Sequence, residues 1–326
     1  MPTALRFFAT LSLLAVCSLA CKTANESDSP APEKKAKTSK DSVKDSKELV
    51  SDPKPSGVAV KPKVNNAAID KAGFRLSVQA YTFREMSLLE TIDTLKFLGV
   101  HYVELYPGQK FSKDNPKPAN HDMPPEMLSE LLQKLRDADV KAVNYGVVGL
   151  SKDEAASRKV FDWAKKMGLE TIVSEPTPDK ETFDVVEKLC EEFQINVAIH
   201  DHPYPSTYWY PQKVLEVTKG RSNRIGSCSD TGHWYRSGFI VTECIDKLKG
   251  RVISLHLKDL NKDKQDVPWG TGMIHAKDVM ATLMAQKPAH KPVWSIEYES
   301  SHGTELVNNV GKCCENFGKF CEELTK

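Results

Sequence analysis

Residues 224–234, RIGSCSDTGHW, end a short apolar run in a carboxylate, Asp230, and place His233 three residues further on. The surrounding chain repeats the pattern. ETIVSEP (170–176) ends in Glu175, and INVAIHDHP (195–203) ends in His200 and His202. RVISLHLKD (251–259) carries His256, and PVWSIEYE (292–299) carries Glu297. Runs that are apolar throughout suit strands of a parallel sheet, because such strands are buried on both faces. Polar residues gathered at the C-terminal ends of those strands are how a parallel barrel builds a site.

Working outward, three more runs precede these: LSVQAYTF (76–83), HYVELYP (101–107) and KAVNYGV (141–147). Between the runs lie segments of helical period, among them LLETIDTLKFLG (88–99), EAASRKVFDWAKKMG (154–168) and ETFDVVEKLCEEF (181–193). Gly99, Gly168, Gly220 and Gly250 fall where helix C-caps belong. This alternation over residues 73–326 predicts a single (β/α)8 TIM barrel, of class α/β. A doubly wound open sheet is the competing architecture. It would want a glycine-rich turn after the first strand, and YTFREM (81–86) has none.

The N-terminal quarter differs. Arg6 followed by the apolar stretch 7–20 predicts a signal peptide over residues 1–20. Ser18-Leu19-Ala20-Cys21 then resembles a bacterial lipoprotein signal, which implies an exported protein, periplasmic or at the cell surface, held to the membrane by a lipid on Cys21. Residues 21–72 are rich in Lys, Ser, Asp and Pro and read as a disordered tether. The 45 basic and 44 acidic residues nearly cancel, so no long-range field favours nucleic acid as a partner. Of eight cysteines, two lie in the signal, and the remaining six are expected as small buried hydrophobes rather than a zinc knuckle.

Carboxylates and imidazoles converging from neighbouring strand ends suit a divalent metal. Glu175, Asp230, His256 and Glu297 are the expected ligands, with His200 completing the set or acting as acid or base. One of His200 and His202 is expected to point into the barrel, and His200 aligns better with the end of its run. Lys258 lies two residues beyond His256, where it could serve as acid or base or bind a substrate oxygen. Glu104, His202, His233, Arg236 and Trp269 are expected around the substrate. The aromatic loop HPYPSTYWYP (202–211) and the turn VPWGTG (267–272) are expected walls, offering rings to the apolar face of a sugar.

These pieces, together with SVQAYTFRE (77–85), IHDHP (199–203) and SIEYE (295–299), resemble the xylose isomerase-like TIM barrels, often called sugar phosphate isomerases/epimerases. The resemblance spans nearly all of residues 73–326. It implies a metal held in the family's epimerases by two glutamates, an aspartate and a histidine, three of which match Asp230, His256 and Glu297. The second glutamate of those epimerases closes strand five, where this chain has His200, and a glutamate stands one strand earlier as Glu175. The resemblance therefore implies a metal-dependent enzyme (Mn, Zn, Co or Mg) acting on a sugar or keto-sugar by proton abstraction beside a carbonyl. An isomerase or epimerase is implied, and the strand-five histidine tilts the expectation toward a lyase. The alternative is a non-catalytic, surface-tethered sugar-binding barrel. A nuclease branch of the same superfamily needs histidines ending strands two and three, and Glu104 and Asn144 stand there instead.

Overall fold

A computed structural model describes residues 58–288 and 291–326. The expected signal peptide, Cys21 and most of the expected tether lie outside the described residues.

Eight parallel strands close into a barrel, in the order β1 (Arg75–Gln79), β2 (Tyr102–Leu105), β3 (Lys141–Tyr145), β4 (Thr171–Ser174), β5 (Asn196–His200), β6 (Ile225–Asp230), β7 (Val252–Leu257) and β10 (Val293–Ile296), with β10 pairing back onto β1. The open-sheet alternative is thereby excluded. Between β7 and β10 the chain adds a two-stranded antiparallel ribbon, β8 (Asp259–Leu260) with β9 (Asp266–Val267).

Helices cover the outside: α2 (Leu88–Leu98), α3 (Pro125–Ala138), α4 (Glu154–Met167), α5 (Lys180–Phe193), α6 (Pro211–Thr218), α8 (Val241–Lys247), α9 (Ala276–Ala285) and α10 (Gly303–Leu324). Their boundaries follow local chemistry. Ser87 and Glu90 form a reciprocal capping box at the start of α2, and Asp153 caps α4 by accepting from the Ala156 N–H at 3.1 Å. Gly99 and Gly168 end α2 and α4 at φ 72° and 70°, a conformation that costs glycine nothing. On α4 the face Val160, Phe161, Trp163, Ala164 and Met167 is buried, as helical spacing requires.

Two helices were not anticipated. One is α7 (Thr231–Arg236), a six-residue helix directly after β6 whose N-cap is Asp230 itself. The other is α1 (Asn66–Lys71), which corrects the expected domain start at residue 73. Residues 58–72 are not tether. Ala68 and Ile69 are buried, the Val60 N–H donates to Asn308 Oδ1 at 2.9 Å, and the Lys63 N–H donates to Glu315 Oε1 at 2.9 Å. Gly318 on α10 leaves room for this crossing, since a Cβ there would lie 3.0 Å from the Asn65 nitrogen. A short run with only two buried side chains carries no periodic signal, which is why composition alone assigned it to the tether.

Inside the barrel, Val173, Ala198, Cys228 and Ile253 form a small apolar plug beneath the site. All six cysteines among the described residues are buried and unpaired, as expected. No described helix is long and apolar enough to cross a membrane.

Candidate metal centre

Register brings the strand-end residues into one layer. Asp230 on β6 pairs with His256 on β7, and His256 pairs in turn with Ser295 on β10. One residue past β10, the Glu297 N–H continues the ladder to the Leu257 carbonyl at 3.2 Å. His200, Asp230, His256 and Glu297 are all buried, and one ligand atom from each falls within 4.8 Å of the others.

Two imidazole nitrogens in this cluster, His200 Nε2 and His256 Nδ1, are buried without a hydrogen-bond partner. His256 Nδ1 lies 3.1 Å from Glu297 Oε2 without hydrogen-bond alignment, and His200 Nε2 lies 3.8 Å from Asp230 Oδ2. The opposite nitrogen of each ring is fixed by a carboxylate. Glu104 Oε1 sits 2.8 Å from His256 Nε2, and Glu175 Oε1 sits 3.1 Å from His200 Nδ1. A carboxylate that takes the N–H of one ring nitrogen leaves the lone pair on the other. Two such nitrogens facing two carboxylates match a divalent-cation donor set, so these residues fit a metal ion.

Charge in the cluster is balanced locally. Lys258, with its side chain 1% exposed, places Nζ 2.9 Å from Asp230 Oδ2 and 2.7 Å from Glu297 Oε2. Burial disfavours its charge, but Asp230, Glu297 and Glu299 outweigh burial and hold the ammonium firmly protonated. Burial would likewise raise Glu297, but Lys258 and His256 hold it well below the usual carboxylate range. Burial opposes charging His200, yet Asp230 and Glu175 raise it to about 9, so an ion taking Nε2 would replace a proton there. Burial pushes His233 down to about 3.

Above the cluster opens a pocket of about 340 Å³ lined by Gln79, Tyr81, Tyr106, Gly146, Val147, His200, His202, His233, Lys258, Glu297 and Glu299. A larger cleft of about 610 Å³ lies at the opposite end of the barrel, around Phe74, Arg75, Tyr102 and Lys141. None of the clustered buried donors lines it, so the chemistry belongs to the smaller pocket.

Residues 92–312 match the family model for the xylose isomerase-like TIM barrel. The chain belongs to this family. Among solved structures, an uncharacterised protein from Parabacteroides distasonis ATCC 8503 is 29% identical, with 74% of this chain and 98% of that chain covered and a TM-score of 0.59. D-psicose 3-epimerase with D-tagatose from Clostridium cellulolyticum H10 is 13% identical, covering 76% and 99%, with a TM-score of 0.60. A xylose isomerase-like TIM barrel protein from Mycobacterium smegmatis in complex with magnesium is 9% identical, covering 78% and 99%, with a TM-score of 0.60. At such identities the latter two show the fold alone. No curated protein matches the sequence.

Within this xylose isomerase-like barrel, Asp230, His256 and Glu297 lie together as expected of ligands, and His200 completes the four. Glu175 lies one step back, against the rings of His200 and His202. The expectation that only one of those two histidines points inward is corrected. Residues two apart on extended backbone share a face, and both rings reach Glu175 Oε1. It is Asp201 that takes the other side of β5, where it accepts the Asp230 N–H at 2.8 Å.

Of the expected substrate contacts, His202 and His233 line the pocket, with their rings stacked at 5.1 Å. Glu104 does not. It is fully buried and accepts from Gln79, Asn144 and Ser295 as well as meeting His256. Arg236 backs His233, with Nη1 3.2 Å from His233 Nδ1 and Nη2 3.1 Å from Asp266 Oδ1. Trp269 is 1% exposed, its backbone carbonyl held by Asn316 on α10, and it lies outside the pocket. Asp259 causes this by folding the VPWGTG turn inward, accepting from the Gly270, Gly272 and Ile274 N–H groups. Of the aromatic loop after β5, Tyr208 and Trp209 are also engaged internally, and exposed Tyr204 lies outside the pocket. The Tyr208 hydroxyl donates to the Pro176 carbonyl at 2.6 Å, and Trp209 stacks on Phe239 at 5.3 Å. The pocket's aromatic wall is instead Tyr81 edge-on to Tyr106 at 5.3 Å. Gln79, the last residue of β1 but in the middle of its apolar run, obeys the strand-end rule only once the strand's end is known. Tyr81 lies in a short 3-10 helix, Ala80–Phe83, and Tyr106 in the loop after β2, where no such rule applies.

Proposed function

We propose that this chain is a divalent-metal-dependent isomerase or epimerase that moves a proton beside the carbonyl of a sugar or keto-sugar. The observation that carries this reading is the pair of buried, unpartnered imidazole nitrogens, His200 Nε2 and His256 Nδ1, converging with Asp230 and Glu297. In this reading His200, Asp230, His256 and Glu297 hold the ion, while Glu104 and Glu175 orient the two rings from behind. Bound there, the ion supplies a Lewis acid that lowers the cost of removing a proton next to a carbonyl.

The remaining chemistry falls to side chains facing the pocket. Glu297 stays ionised at neutral pH, held by Lys258 and His256, and is the proposed base. His202 keeps Nδ1 on Glu175, so its Nε2 is free to accept or return a proton. Lys258 lines the same pocket, where its ammonium can donate to a substrate oxygen. Tyr81 and Tyr106 present aromatic surface to the apolar face of a sugar ring.

His200 also favours a second reading. With a histidine where the family's epimerases carry the second glutamate, the two matched carboxylates of a symmetric proton relay are absent. A lyase acting on keto-glycosides needs one base and a separate acid, which Glu297 and His202 provide. The test is turnover on a panel of sugars, keto-sugars and keto-glycosides, before and after chelation, for wild type and Glu297→Gln. Turnover that chelation and Glu297→Gln both abolish supports the reading, and the products separate epimer from eliminated fragment. Metal-independent turnover, or sugar binding without turnover across the panel, would overturn it in favour of other chemistry or of the non-catalytic binder.

Export and a lipid on Cys21 belong to the same proposal and rest on residues 1–21 alone. Cys21→Ser is expected to move the protein from the membrane fraction to the soluble one, and an unchanged membrane fraction would contradict it.

A further inference from the structure

Lys258 holds the oxygens that a metal would need. Its Nζ lies 2.9 Å from Asp230 Oδ2 and 2.7 Å from Glu297 Oε2. Asp230 Oδ2 is the atom that faces His200 Nε2 at 3.8 Å, and Glu297 Oε2 is the atom that faces His256 Nδ1 at 3.1 Å. These oxygens and the two imidazole nitrogens are the donors that would hold a divalent ion, so the ion would stand within reach of the ammonium. An ammonium and a divalent ion drawn to the same carboxylate oxygens would repel each other strongly in a buried site.

The route of the lysine is built into the fold. Lys258 follows His256 by two positions and so leaves the chain on the same side. Its stem passes over Gly232 of α7, where a Cβ would lie 2.6 Å from Lys258 Cβ and 3.1 Å from Lys258 Cδ. A third carboxylate waits further out. Glu299 Oε2 lies 3.4 Å from Nζ, and its side chain is 29% exposed on the pocket lining.

The geometry points to Lys258 and the divalent ion as alternative occupants of the gap between Asp230 and Glu297. Entry of the ion displaces the ammonium toward Glu299, and that movement brings the lysine to the substrate. The inference rests on the proposed metal site. It goes beyond that site in making Lys258 a displaceable counter-ion that weakens metal binding, instead of a permanent member of a buried ion-pair network. Gly232 is then a positioning residue that keeps the lysine's path open.

The test titrates chelator-stripped wild type and Lys258→Met with Mn²⁺, by calorimetry or against a chelating dye. Removing the competing charge is expected to tighten Mn²⁺ binding by about tenfold or more. Equal or weaker binding by the variant, with wild type still binding, overturns the inference and leaves the metal site standing. Binding by neither protein overturns both. The variant leaves two buried carboxylates without their cation, so circular dichroism first establishes that it is folded. A second measurement needs no variant. Acetylation of Lys258 in wild type, followed by peptide mass spectrometry, is expected to run several-fold faster in saturating Mn²⁺ than in chelator. A rate that is unchanged or slower at saturating Mn²⁺ overturns the inference.

Discussion

Glu104 and Glu175 are the residues on which the two imidazoles depend. Each touches a ring nitrogen on the side away from the cluster, at 2.8 Å and 3.1 Å, and so fixes which nitrogen keeps its lone pair. Glu104→Gln and Glu175→Gln are each expected to weaken metal binding by about 10–100-fold, read by chelator competition, while the four proposed ligands remain. Unchanged affinity in both would mean that the rings are held by strand packing alone. At the opposite end of the barrel, Glu170 ties β1 to β3 through Arg75 and Lys141, both at 2.7 Å. Burial would raise its pKa, but those two cations outweigh burial and lower it. A depressed carboxylate contributes stability that is present above its unfolded value near 4.5 and lost as pH falls below it. Wild type is therefore expected to melt higher than Glu170→Gln at neutral pH, with the gap closing as pH falls below 4.5. A gap constant across that range would contradict this.

The strands and the short pieces around them differ in how far the sequence foretells them. Every barrel strand was legible as an apolar run, and the convergence of Asp230, His256 and Glu297 was legible because strand ends share one rim. Less legible was what depends on the path of a loop. Trp269 looked like a sugar-stacking residue until Asp259 gathered three backbone N–H groups and turned it under the rim. Glu175 and His200 stood as rival ligands, because sequence gives strand position but not how far a side chain reaches. Residues 58–72 looked like tether because two buried side chains in fifteen residues make no period. Their packing on α10 has a measurable consequence. Removing residues 1–57 is expected to leave the melting temperature unchanged, whereas removing 1–72 exposes the face of α10 around Gly311 and Gly318 and lowers it by several degrees. Equal melting temperatures for the two truncations would show that α1 adds nothing to the barrel.

Taken whole, the molecule is a xylose isomerase-like barrel whose rim concentrates buried charge at one end and ordinary ion pairs elsewhere. A barrel of this kind can carry many chemistries, so the function rests on the rim rather than on the fold. His200, Asp230, His256 and Glu297 are proposed to hold one divalent ion together. Elemental analysis of the purified protein, beside His200→Ala, Asp230→Ala, His256→Ala and Glu297→Ala, tests it most directly. About one ion per wild-type chain is expected, with a marked loss of occupancy in each folded variant. A wild-type protein that binds no divalent ion at saturating concentration, or folded variants that all retain full occupancy, would contradict it.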